Sequence, residues 1–241
     1  MRGILLVARR DFAAYVNTIW GWLILTVALL LDGLLFNALA MTNTAQYSAD
    51  VLRQFFFYSG GVALAIGIFV TMRLFAEERQ TGTMVLLESS PLSDRQLVLG
   101  KYLSAMMFMA FFHLLSLYMP AMIFVNGKVS YAEIGVGYLG ILLMSSAGVA
   151  MGTWASSVSR NQILAAALGG VAVFFFVFCH WLSRVTDPPF NSLFSSIAFY
   201  AKQFAPFEDG RINTENVVYF VSVTFGFLLL ATQSLTARRW E

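Results

Sequence analysis

Little in this chain could do covalent chemistry. It has two histidines, His113 and His180, and one cysteine, Cys179. One Cys with two His cannot build a standard zinc site, and no HExxH occurs. No GxxxxGK[ST] loop occurs, so the usual phosphate cradle is missing. No Ser, His and Asp stand at a spacing that suggests a nucleophilic triad. The expectation is a chain with no catalytic residue, cofactor, metal or nucleotide site of its own. Two groups of polar residues remain to be explained. Asp32 and His113 interrupt long apolar runs, where an ionisable residue by default marks a pathway or a partner. The segment 77–96 is dense in charge, with Glu77, Glu78, Arg79, Glu88, Asp94 and Arg95.

The elements that hold these residues follow from composition. Of 241 residues, 59% are hydrophobic and 12% charged, against roughly 25% charged in soluble domains. A soluble domain could not hide that much apolar surface, whereas a bilayer solvates it. The net charge of +2 with no basic stripe argues against a nucleic-acid partner. No cleavable leader is convincing, because Arg9, Arg10 and Asp11 interrupt the first apolar run. Six stretches approach the roughly 20 apolar residues of a span: 19–41, 55–76, 97–125, 134–156, 163–182 and 217–237. The expected class is an all-α polytopic membrane protein forming one transmembrane domain over 1–241. Ten of the fifteen Lys and Arg fall on the side that holds both termini, so that side is expected to be cytoplasmic.

Three further segments sit outside the spans. Residues 1–18 read as an interfacial helix with Ile4, Ala8, Phe12 and Tyr15 on one face, although Asp11 spoils that face. A frayed extension is the alternative. Residues 77–96 connect spans two and three on the cytoplasmic side. There Thr83 can cap a short helix holding Leu86, Leu87 and Glu88, and Pro91 ends it. On residue types alone a solvated loop is the simpler reading. On the outer side, 183–216 contains an apolar island, 190–204, too short to span. It reads as a re-entrant hairpin that turns at Ser195 and Ser196, with Phe190, Phe199 and Lys202 completing an outer gate. The alternative is a helix lying flat on the leaflet.

Inside the spans, Asp32 and His113 count to similar depth. They either pair with each other or are satisfied separately. Gly148 and Gly152 form GxxxG, which serves close packing within the chain or between two copies. Pro120 is expected to bend the third span.

The stretch 75–105, with Glu77, Glu78, Arg79, Gly82, Thr83, Leu86, Leu87, Pro91, Gly100 and Lys101 in order, resembles the signature of bacterial ABC exporter permeases of the type-two class. The C-terminal stretch 207–241 looks like the matching end of the gliding-motility and nitrous-oxide-reductase-maturation subgroup. The resemblance implies that 77–96 is a coupling segment docking on a separate ATPase, which carries ATP and Mg. It also implies a second permease copy or related chain, and a place in the bacterial inner membrane. Two functions then compete. One is export or extraction of a substrate. The other is mechanical drive of a periplasmic protein with no solute moved.

Overall fold

In the computed structural model, residues 2–40, 47–84, 89, 92–125 and 127–238 are described, and among them every regular element is helical. Six helical stretches are long and apolar enough to cross a membrane: Ile19–Leu39, Ser48–Gln80, Asp94–Ile123, Tyr131–Val158, Gln162–Val185 and Thr214–Ala237. The chain is a multi-pass membrane protein.

Helix α1 (Arg2–Asn17) bends at Thr18 into α2 (Ile19–Leu35), which runs on through a π turn, Phe36–Ala40. The second span is α3 (Ser48–Thr71), followed by the short α4 (Ala76–Gln80). The third is α5 (Asp94–Ser116), interrupted at Leu117 and resumed as α6 (Tyr118–Ile123). The break falls where Pro120 expects it, because proline offers no N–H to the carbonyl four residues back, that of Ser116. Then come α7 (Tyr131–Val158) and α8 (Gln162–Val185). Beyond them lie α9 (Phe190–Ile197), a π segment (Phe199–Phe204) and the single-turn α10 (Ala205–Glu208). The sixth span is α11 (Thr214–Arg238).

Local chemistry sets several starts. Ser93 and Gln96 form a reciprocal capping box that opens α5. The side chains of Ser130 and Asn161 accept first-turn N–H groups of α7 and α8.

α7 is the central span, packed against α3, α5, α8 and α11. A Cβ on Gly148 would lie 2.7 Å from Leu64 Cδ2, and one on Gly152 would collide with Thr71 Oγ1. The GxxxG face therefore seats α3 within the same chain, and small residues let the two backbones close. Polar bonds join the spans elsewhere. Ser146 meets both Tyr102 of α5 (2.7 Å) and Thr224 of α11 (2.9 Å). Helix α1 lies along α5, with Val7 against Gly100. Its buried residues are Val7, Ala8 and Tyr15, while Leu5 and Leu6 face outward.

Candidate functional site

The charged segment after the second span is built into the bundle. Between α3 and α4 the chain leaves helical geometry at residues 72–75, which strips backbone groups of their partners. Ser156 of α7 replaces them. Its hydroxyl oxygen accepts the N–H of Phe75 (3.0 Å) and of Ala76 (3.2 Å), and its O–H donates to the Met72 carbonyl (3.3 Å). Gly82 then closes α4 at φ +75°, in the left-handed region that glycine adopts without a Cβ clash. The Thr81 and Thr83 hydroxyls donate back to the carbonyls of Glu77 and Glu78 at 2.9 and 3.3 Å.

Each charge of the Glu-Glu-Arg run goes to a different place. Glu77 takes both arms of Arg73, at 2.8 and 2.6 Å, one helical turn earlier. Arg79 donates to the Ser159 carbonyl at the end of α7, at 2.9 Å. Glu78 Oε1 accepts from Lys101 of α5 at 2.8 Å. The ammonium of Lys101 also reaches Asp11 of α1 at 3.2 Å and lies 5.2 Å from the Phe75 ring centroid. Its side chain is only 3% exposed. A lysine so buried needs compensation, and two carboxylates and an aromatic face supply it. Asp11 belongs on the inward face of α1 for this reason. It completes an ion cluster with Lys101 and Glu78, to which Arg10 adds a second cation. Beside the cluster a pocket of about 380 Å³ opens between α1 and α4, lined by Asp11, Tyr15, Arg73, Glu77, Glu78 and Lys101 among others.

The opposite end of the bundle holds the apolar island. α9 packs back along α8, and the chain turns at Ala198 (φ −68°, ψ 136°). Phe199 is fully buried, 5.0 Å centroid to centroid from Phe176. Phe176 lies nine residues before the end of α8, or about 13 Å at the helical rise. The turn bares the last carbonyls of α9. Gln203 donates to Ser196 O at 3.0 Å and Tyr219 of α11 donates to Ile197 O. Asn216 of α11 holds Gln203 Oε1 (2.9 Å) and Lys202 O (3.0 Å).

One open alternative resolves, and the expected turn is corrected. Asp32 and His113 are both buried but do not bond each other. Asp32 accepts from Ser59 at 3.1 Å, and His113 Nε2 meets Ser145 at 3.0 Å while its Nδ1 has no partner among the described residues. Depth counted along two helices says nothing of their azimuth, and each side chain turns to a neighbouring serine instead. The turn in 190–204 is not at Ser195 and Ser196. Their hydroxyls bond back to the Ser192 carbonyl at 3.1 and 2.8 Å and stay within α9. Phe190 and Lys202 are exposed. Leu86, Leu87, Glu88 and Pro91 lie outside the described residues. Sequence reasoning missed Ser156 and Asp11 as partners of this segment. The only signal for Asp11 was its misfit on an apolar face, and Ser156 left none.

A groove of about 750 Å³ runs between α2 and α8 over α3. Val27, Leu31, Phe57, Phe69 and Phe174 line it, with His180 and Tyr200 toward the α9 end, and its described lining carries no Asp, Glu, Lys or Arg. The model of the ABC-2 family transporter protein matches residues 36–208. The chain belongs to this family. Comparison with curated proteins gives no match. As an ABC-2 permease, the chain is the membrane subunit of an ABC transporter, and the family implies an ATPase partner in the complex. The matched region of this ABC-2 permease takes in the α3–α4 break, Glu78 and Lys101 of the ion cluster and the segment up to Glu208, while Asp11 and Arg10 lie before it.

Proposed function

We propose that the chain is the permease of an ABC exporter of the gliding-motility and nitrous-oxide-maturation type. ATP and Mg bind a separate ATPase, whose motion enters through α4 and the residues that follow. The observation that carries this reading is the division of the Glu-Glu-Arg run among Arg73, Lys101 and Ser159. A push on a segment tied to α3, α5 and α7 moves three spans together, whereas a solvated loop would absorb it. Both termini and α4 then face the cytoplasm of a bacterial inner membrane, in keeping with the Lys and Arg bias. Helix α1 lies at that interface, and the exposed Trp20 and Trp22 at the head of α2 suit an aromatic belt.

The 190–208 segment is the outer re-entrant element. Irregular backbone at membrane depth needs its polar groups paired inside the protein, and the bonds from Gln203 and Tyr219 support that requirement. The uncharged groove is one half of a path that a second copy, or a related chain, completes. Its apolar wall suits extraction of an amphiphile from the bilayer better than passage of a hydrophilic solute. Mechanical drive of a periplasmic protein is the second reading, favoured by the exposed Phe190 and Leu193 on α9.

Membrane complexes carrying Glu78→Gln with Arg79→Met test the input site. Reduced retention of the ATPase, or ATP turnover that no longer responds to the permease, is expected. Unchanged retention and unchanged turnover in the double variant refute the coupling role. Labelling of a cysteine at Asn191 by an impermeant reagent on intact cells tests the orientation, and labelling only after permeabilisation reverses it.

A further inference from the structure

The outer segment ends in a carboxylate that its surroundings leave under-compensated. The Glu208 side chain is 5% exposed. Its Oε2 lies 3.6 Å from Arg53 Nε of α3, and its Oε1 is buried with no hydrogen-bond partner among the described residues. The same Arg53 nitrogen is 3.5 Å from Asp209 Oδ1, so one half-exposed cation serves two carboxylates. The other ionisable neighbours offer Glu208 no relief. Tyr200 on the π segment interacts with it electrostatically, through a phenol that stays neutral. Glu133 of α7 packs against Gly210, and Arg211 is turned to Asp209 at 3.4 Å. Taking a carboxylate out of water with so little in return favours the protonated acid.

We propose that seating of the 199–208 segment against α3 and α7 is linked to uptake of a proton at Glu208. The inference rests on reading this segment as the outer gate or docking face. Burial pushes the Glu208 carboxyl up to about 7, with Arg53 opposing the rise and Asp209 adding to it. The sign follows from linkage. A carboxyl with a higher value when seated than when free binds more protons in the seated state, so acid favours seating. Raising the pH through about 7 ionises the buried group and favours the unseated segment. Between pH 6 and pH 8 the seated-to-unseated ratio should fall about tenfold.

Spin labels at the exposed Lys202 and Tyr131, in a Cys179→Ala background, read the segment against α7 in nanodiscs, with the ATPase left out. The wild type should shift toward the longer distance as the pH rises from 6 to 8. Glu208→Gln, which keeps the shape without the charge, should hold the short distance throughout. Arg53→Met, which removes the opposing cation, should move the midpoint to higher pH. A distance distribution independent of pH in the wild type overturns the inference, as does a pH response that survives Glu208→Gln. Because no ATPase is present, either result leaves the coupling role of α4 standing. Loss of ATPase retention in the Glu78 and Arg79 variants would in turn leave the proton linkage untouched.

Discussion

The Ser156 hydroxyl accepts the Phe75 N–H at 3.0 Å across 81 residues of chain, and so stands in for a helical carbonyl that α3 can no longer provide. Ser156→Ala leaves the N–H groups of Phe75 and Ala76 buried without that acceptor. A loss of about 1–3 kcal/mol is expected, read as a lowered midpoint in thermal unfolding of the purified permease. Ser157→Ala is the control. Among the described residues that hydroxyl bonds only the Trp154 carbonyl of its own helix, and its removal should change the midpoint far less.

Lys101 gives a larger effect. Lys101→Met keeps most of the volume but leaves Asp11 and Glu78 facing each other with the ammonium gone. Breaking one side of a buried ion cluster costs about 3–5 kcal/mol. Adding Asp11→Asn and Glu78→Gln to the same chain should recover part of it. A triple variant no more stable than Lys101→Met would mean that the cluster does not act as a unit.

Gly152 tests the seam between α3 and α7. A methyl at this position would lie 2.8 Å from Thr71 Cβ as well as against its hydroxyl. Gly152→Ala must therefore move one backbone, at about 1–3 kcal/mol. Gly226→Ala on α11 meets nothing within 4 Å among the described residues. It should be neutral or slightly stabilising, since alanine is the better helix former.

A depth profile distinguishes the re-entrant element from a flat helix. Spin labels stepped from Phe190 to Phe204, read with lipid-soluble and water-soluble relaxing agents, should reach their greatest depth at Ala198 and Phe199. A uniform shallow depth would assign the whole segment to the leaflet surface.

The six spans were legible because apolar runs of bilayer length leave no other solution, and the match to the ABC-2 family agrees with them. The Pro120 interruption was legible for the same kind of reason, since a missing N–H acts at a fixed offset. Azimuth was not legible. Asp32 and His113 count to similar depth along the sequence but turn to Ser59 and Ser145, and the orientation of a helix about its own axis depends on all its neighbours at once. Ser195 and Ser196 looked like a polar break. Within α9, however, serine hydroxyls satisfy themselves on the preceding turn, so they leave the helix intact and Ala198 turns instead. Asp11 was read as a flaw on an apolar face because its partner, Lys101, is 90 residues away.

The carbonyls of Ser196 and Ile197 depend on side chains that translation supplies later. Tyr219 belongs to α11, as does Asn216, which fixes Gln203 in place. When α9 emerges from the ribosome, the three residues that follow it are still enclosed in the exit tunnel and cannot reach it. Its carbonyls must stay in water, or be screened by the insertion machinery, until α11 has entered the bilayer. The 190–204 segment thus leaves the ribosome ahead of its own hydrogen-bond partners, and its final packing beside α8 is expected to follow membrane insertion of the sixth span.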